Sequence, residues 1–237
     1  MTNALTLTKL SSRYGQSQVL WDIDLDVPKQ AALAVIGRNG VGKSTLINTI
    51  MGVHKASGGT LALDGTDITR LSAHHRARAG LGFVPQGRHI FPHLTVLENL
   101  ESGLAAQPKN APERGKIPRY IFDLFPKLAT VRSRKGGVLS GGEQQQLAIG
   151  RALTGHPKVL LLDEPTEGIQ PNVVQQIETA LTTVRQELGL TIIIVEQYLD
   201  FVWRFADHFC AMDGGKIIEQ GRTADYTAGD IAHLVRV

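Results

Sequence analysis

Cysteine occurs only once in the 237-residue chain, at Cys210. A single thiol closes no internal disulfide, so stability must come from a packed core, and a reducing cytosol is the expected setting. Cys210 itself lies in an apolar run and is expected to be a buried core residue. Long hydrophobic runs are also lacking. None approaches the roughly 20 apolar residues that span a bilayer, so any membrane role is expected to come through a partner. The first residues, Met-Thr-Asn-Ala-Leu-Thr-Leu, carry no basic stretch followed by an apolar one, and no signal peptide is expected. Excess charge of one sign is missing too: 25 Lys and Arg against 22 Asp and Glu leave a net +3. That small excess does not call for a nucleic-acid partner, although the basic balance leaves one open. No internal repeat and no low-complexity tract is evident. A histidine metal centre is not expected either. His89 and His93 are four apart, but Pro92 stands between them and disfavours the helix that would bring them together, and no carboxylate or cysteine is suitably placed.

Glycine is plentiful, with 25 residues, and its most informative cluster lies between Val35 and Ile50. Ala31 to Ile36 has the length and branching of a buried strand. Gly37, Arg38, Asn39, Gly40, Val41, Gly42, Lys43, Ser44 and Thr45 follow, and an apolar-periodic segment reads as a helix after them. This is the G-x-x-x-x-G-K-[ST] phosphate loop in the strand-loop-helix setting it needs. Glycines let the loop turn sharply and bring backbone N–H groups against phosphate oxygens. A helix N-terminus behind them favours anions. Lys43 would meet the β- and γ-phosphates, and the Ser44 hydroxyl would ligate Mg²⁺. A glycine-rich turn that binds nothing is the bland alternative, and a phosphate loop alone does not say what is done with the nucleotide.

Taken in order, Leu5, Leu7 and Leu10 begin an alternating pattern, and Val19 to Val27 gives a second strand. Tyr14 falls at the turn between them, either stacking on an adenine face or capping the core. Ser57-Gly58-Gly59 reads as a turn before a strand at Thr60–Leu63, and Ser72–Ala79 as a short basic helix. Gly82 to Gln86 reads as a strand ending in a polar residue. Gln86 could offer its carbonyl to Mg²⁺ or to the attacking water, or be a solvated loop residue. Thr95–Leu104 and Arg119–Leu128 are helical, with a proline-rich surface connection over 107–118. Few strand signals fall in this middle third, so it reads as a helical lobe inserted into an α/β core.

Leu139-Ser140-Gly141-Gly142-Glu143-Gln144 then opens a helix. Ser140 and Glu143 form a capping-box pattern. Two glycines just inside a helix cost about 1 kcal/mol each relative to Ala, which suggests a close approach to the backbone, an anion being the natural guest. Val159–Leu162 is a fully apolar strand ending in Asp163 and Glu164. Carboxylates at that end fall in the crevice where parallel sheets bind ligands. Asp163 is placed for Mg²⁺, and Glu164 to polarise the attacking water. Pro171–Leu188 is an amphipathic helix stopped by Gly189. Thr191–Val195 is another buried strand, ending in Glu196-Gln197. His208–Met212 and Lys216–Glu219 form a hairpin around Asp213-Gly214-Gly215.

Five elements in this order resemble the nucleotide-binding subunit of an ABC transporter: the phosphate loop, the Gln86 loop, Leu139–Gln144, the acidic strand end and Gln197. The resemblance covers nearly the whole chain. It implies a P-loop ATPase fold with a mixed sheet, antiparallel in its N-terminal part and parallel in the centre, and an inserted helical subdomain. One domain would span 1–237, with 1–86 and 156–237 as the catalytic core and about 87–155 as the helical lobe. ATP and Mg²⁺ are the implied ligands. Gly37 to Thr45 would hold the phosphates, Tyr14 would stack on adenine, and Ser44, Gln86 and Asp163 would serve the metal. Glu164 would be the catalytic carboxylate, assisted by Gln86 and Gln197. Ser140, Gly141 and Gly142 would close over the γ-phosphate held by a second copy, and Thr166–Pro171 would sit in the dimer interface. A departure stands at Gln197, where the family usually has His. Gln hydrogen-bonds but takes up no proton near neutral pH, so it is expected only to position, leaving the base role to Glu164.

Partners implied by the resemblance are a copy of the chain or a paralogous ATP-binding subunit, two transmembrane permeases and, indirectly, a solute-binding protein, with no nucleic acid. The location implied is the cytoplasmic face of the membrane. The stretches Val84–Pro92, Asp163–Pro171 and Val195–Phe201 look like importers of branched-chain amino acids, amides and urea, the Glu-Gly-Ile-Gln-Pro and Glu-Gln-Tyr pieces most like the urea branch. A soluble ABC ATPase of DNA repair or translation usually carries two nucleotide domains or a long coiled coil, and this chain has neither. A small-molecule kinase or GTPase has no use for Ser140-Gly141-Gly142.

Overall fold

β1 (Asn3–Tyr14) and β2 (Ser17–Pro28) pair antiparallel in a long hairpin, in a computed structural model that describes residues 2–111 and 113–235. Leu5, Leu7 and Leu10 are all buried, although the step from 7 to 10 breaks the two-residue period of a strand. The register slips between Leu7 and Leu10, where Lys9 takes a φ of 49°. This bulge returns Leu10 to the inner face. β3 (Ala32–Ile36), α1 (Lys43–Met51) and β4 (Ala56–Leu63) follow, and β4 adds to the free edge of β1. Ser57 to Gly59 therefore lie inside a strand and not in the expected turn. Gly59 has a φ of 77° and backs onto the Lys9 carbonyl so closely that any side chain would collide with it. Its glycine serves the bulge. With β5 (Thr66–Asp67) the first sheet has the order β2-β1-β4-β5.

α2 (Ala73–Ala79) leads into β6 (Leu81–Val84), the edge of the second sheet. Its other strands are β7 (Val159–Asp163), β8 (Thr191–Val195), β9 (His208–Asp213) and β10 (Lys216–Arg222). In the order β10-β9-β3-β8-β7-β6, all neighbours are parallel except β10 with β9. The apolar runs split by parity. Leu33, Val35, Leu161 and Ile193 pack toward α1 and the first sheet, whereas Ala34, Ile36, Leu160 and Ile192 pack toward helices on the opposite face. A sheet covered on both faces needs unbroken apolar strands, which is what the sequence supplies. Cys210 is fully buried on β9, and loss of hydration pushes its thiol up to about 12.

Between β6 and β7 the described residues form α3 (Val96–Ser102), α4 (Tyr120–Leu124), α5 (Pro126–Thr130) and α6 (Gly141–Leu153), with turns and short 3₁₀ segments. The expected helix over 119–128 is broken at Phe125, because Pro126 donates no N–H and disfavours helical backbone in the residue before it. Gln107, at the start of the expected surface connection, is buried and tied to the carbonyls of Lys116 and Thr154. α7 (Pro171–Leu188) ends at Gly189 in the left-handed region, as read from the sequence. α8 (Leu199–Phe205) and α9 (Ala228–Val235) complete the chain's regular structure.

Candidate active site

The C-terminal ends of β3, β7 and β8 meet at one crevice, and the loop from Gly37 to Gly42 turns across it into α1. Gly42 caps α1 with a φ of 107°, packed against Leu20, the Val19 carbonyl and Gly215. The first intrahelical bond runs from the Leu46 N–H to the Gly42 carbonyl at 2.9 Å. The N–H groups of Lys43, Ser44 and Thr45 therefore have no partner within the helix. They open on a cavity of about 390 Å³ lined also by Asn39, Gly40, Gln86, Glu164, Glu167 and Gln197. Lys43 is buried, and its ammonium donates to the Gly37 and Arg38 carbonyls, each at 2.8 Å. Burial lowers its pKa, while Glu164 and Asp163 oppose the shift. Val41 accepts the Gly215 N–H at 3.0 Å, and Arg38 reaches the His233 carbonyl at 3.4 Å. The loop is thus braced by the β9–β10 turn and by α9.

Asp163 and Glu164 stand on opposite terms. Asp163 is buried and accepts from the Ser44 hydroxyl at 3.3 Å. Burial is the main reason its carboxyl is raised above the ordinary range. A hydroxyl and a carboxylate at this spacing are oxygen donors of the kind that Mg²⁺ takes alongside substrate phosphates. Glu164 leaves the strand with a φ of 48°, a conformation rare for a side chain of its kind, and its N–H donates to the Val195 carbonyl at 3.0 Å. Backbone held there costs on the order of 1–3 kcal/mol and persists where surrounding structure imposes it. The turn aims the carboxylate into the cavity. The Gln197 amide donates to one of its oxygens at 2.6 Å and the Gln86 amide to the other at 3.0 Å. The same Gln86 nitrogen donates to Glu167 at 3.0 Å. Both of its N–H bonds are thereby used on carboxylates, and the carbonyl oxygen is the end left for a cation or water.

Sequence reasoning missed the layer beneath. Glu196 is buried, and its carboxylate accepts from the Thr166 N–H at 3.1 Å, the Thr166 hydroxyl at 2.7 Å and the Gln197 N–H at 3.1 Å. It thus ties the strand end that carries Gln197 to the loop that follows Glu164. Burial raises its carboxyl above the ordinary range despite these donors. In the sequence it reads only as one acid beside a more telling glutamine.

Two groups of expected site residues lie outside this cavity. Tyr14, half exposed at the end of β1, stacks on His54 instead. Ser140 caps α6 with the expected box: Glu143 accepts from the Ser140 N–H at 2.8 Å, and the Ser140 hydroxyl accepts from the Glu143 N–H at 3.3 Å. The two glycines after it have neighbours within the chain. A Cβ on Gly142 would stand 2.7 Å from Val173, and one on Gly141 would stand 3.0 Å from the Arg88 guanidinium. Part of the glycine requirement is therefore internal packing. Arg88 also reaches the Glu167 carbonyl at 3.4 Å, linking the start of α6 to the loop beside the cavity.

A phosphate loop on a parallel strand, an acidic neighbouring strand end and a capped glycine helix define a P-loop nucleoside-triphosphatase. Residues 20–167 match the family model described as ABC transporter. The chain is 38% identical over 214 residues, 90% of its own length and 91% of the relative's, to the high-affinity branched-chain amino acid transport ATP-binding protein BraG of Pseudomonas aeruginosa. Among solved structures it superposes on the ADP conformation of MJ1267, an ATP-binding cassette of an ABC transporter. That match has a TM-score of 0.82 and 30% identity and covers 98% of this chain and 96% of the other. The dimeric structure of MJ0796, a bacterial ABC transporter cassette, matches with a TM-score of 0.82 and 26% identity, covering 92% and 98%. The chain belongs to the ABC transporter family, as an ATP-binding subunit with ATPase activity. Among the described residues no helix is long and apolar enough to cross a membrane.

Proposed function

We propose that this subunit powers an importer of small polar solutes, namely branched-chain amino acids, short-chain amides or urea. The relative named for branched-chain amino acid transport carries the reading. The Glu167–Pro171 and Glu196–Tyr198 stretches support the urea end of the range. In this reading Gly37 to Thr45 hold the triphosphate, Tyr14 stacks on the adenine, and Ser44, Asp163 and the Gln86 carbonyl hold Mg²⁺. The cation neutralises charge on the phosphates when bound. Glu164 accepts the proton of the water that attacks the γ-phosphorus as the bond to ADP breaks. Gln197 holds Glu164 and the water in line without itself changing charge.

Ser140, Gly141 and Gly142 serve the triphosphate of a second protomer, either a copy or a paralogue, so that two sites form between two subunits. The dimeric cassette that this chain resembles supports the pairing. Residues from about 87 to 155 form the helical lobe that presents this signature, with 1–86 and 156–237 as the catalytic core. A groove of about 390 Å³ beside the lobe is lined by Met51, Phe83, Phe91, Arg151 and Ala152 among others. It suits a short helix from a permease on the cytoplasmic side of the membrane. Phe91 is half exposed there under the Arg151 guanidinium, whereas Ile90 packs against the core and contributes less surface.

Purifying the intact membrane complex and adding its solute-binding protein loaded with leucine, acetamide or urea tests the proposal. One of the three is expected to raise ATP turnover. Stimulation by none of them, or recovery of the chain with ribosomes or DNA in place of permeases, would contradict it.

A further inference from the structure

We infer that His54 is a positioning residue for the base end of the nucleotide, acting by backing the ring of Tyr14. The inference rests on the proposed role of Tyr14 as the adenine-stacking residue. Tyr14 is 52% exposed at the end of β1, where side-chain packing alone would leave its ring free to turn. One face of that ring is taken. The His54 imidazole lies on it with 4.0 Å between centroids and 22° between planes. The opposite face is the one left for a purine.

The position of His54 is itself determined by the phosphate loop's own helix. Gly52 ends α1 with a φ of 83°. The N–H groups of Gly52, Val53 and His54 then all donate to the Asn48 carbonyl, at 3.0, 3.0 and 3.1 Å. The next residue, Lys55, accepts from the Ser12 hydroxyl at 3.4 Å, two residues before Tyr14 on β1. The imidazole is therefore fixed at the C-terminal turn of α1 and pressed to β1 from there. Its Nε2 is buried with no hydrogen-bond partner among the described residues, so no bond from that atom orients the ring, and the stack does. One rigid helix thus carries the phosphate cradle at one end and the support of the adenine platform at the other. His54 sets where the base lands relative to the phosphates.

The test is calorimetric binding of ATP and of inorganic tripolyphosphate to the full chain, for wild type, Tyr14→Ala, His54→Ala and His54→Phe. His54→Ala is expected to weaken ATP binding by about two- to tenfold, the range of a lost ring pair, and to leave tripolyphosphate binding unchanged. The KM for ATP should rise by the same factor with kcat kept, and His54→Phe should restore both. If Tyr14→Ala weakens ATP binding while His54→Ala does not, the inference is overturned and the role of Tyr14 stands. If Tyr14→Ala binds ATP as wild type does, the adenine reading fails and the inference with it. Equal weakening of ATP and tripolyphosphate by His54→Ala, or no rescue by Phe, would also overturn it, since either outcome separates the effect from the stacked ring.

Discussion

Glu164 is held from both sides, by Gln197 on one carboxylate oxygen and Gln86 on the other. A carboxylate so placed is oriented before substrate arrives, as the proposed base role requires. Replacing it by Gln should lower turnover by about 10²–10⁴-fold, the usual worth of a positioned base, while ATP still binds. Steady-state hydrolysis beside ATP titration checks this, and robust turnover would remove Glu164 as the base. Gln197→Ala should lower kcat by less, because Gln86 still holds Glu164. A wild-type rate in that variant would deny Gln197 its positioning role. Glu196 makes a second case. Thr166→Val removes one donor to a buried carboxylate and should cost about 1–3 kcal/mol in urea unfolding. Because burial raises its carboxyl, the folded chain holds the Glu196 proton more tightly than the unfolded chain does. That share of stability is present in acid and lost as pH rises through the raised value. Glu196→Gln should therefore be most destabilising relative to wild type in acid and least at neutral pH. The Glu196 layer was not legible in the sequence. Lys43, Ser44, Asp163 and Glu164 announce themselves by spacing, but the partners of Glu196 meet it only through the sheet.

Elements were legible where one physical signal dominated. β3, β7 and β8 are short, apolar and branched, and α7 carries an apolar stripe between Pro171 and Gly189; each was found nearly to the residue. Failures came where a signal had two meanings. Gly58 and Gly59 read as a turn, yet they serve a strand bulge that only the partner strand reveals. Leu199–Phe205 is too short and too apolar to show a helical stripe, and its helix depends on docking against the core. The cap of α6 shows the opposite, a local device fully visible in advance. Ser140→Ala should destabilise the chain by about 1 kcal/mol in urea unfolding. The bond from the Ser140 N–H holds the Glu143 carboxyl below its ordinary value. The box therefore contributes above the ordinary carboxylate range and fades as pH falls through the lowered value. The loss on Ser140→Ala should shrink in acid by the share that the Ser140 hydroxyl gives to the Glu143 carboxylate, and a loss independent of pH would show that this hydroxyl–carboxylate bond contributes nothing.

At the scale of the molecule the two halves of the proposed chemistry are apart. The phosphate loop, Glu164 and Gln197 line one cavity, and Ser140 to Gly142 do not reach it. A single subunit thus displays the proposed cradle and the proposed cover in different places. Pairing two copies head to tail would bring each cover onto the other's cradle, with the Thr166–Pro171 loop between them. The Arg88 guanidinium lies beside Gly141 and donates to the Glu167 carbonyl at 3.4 Å, so it stands between the start of α6 and the loop beside the cavity within one subunit. The central claim is that hydrolysis needs both halves. The measurement that tests it most directly is ATP turnover per subunit as a function of subunit concentration, with association followed by sedimentation under the same conditions. Turnover per subunit should rise with concentration and level off as the dimer fills. Constant turnover at dilutions where sedimentation finds only single subunits would contradict the account.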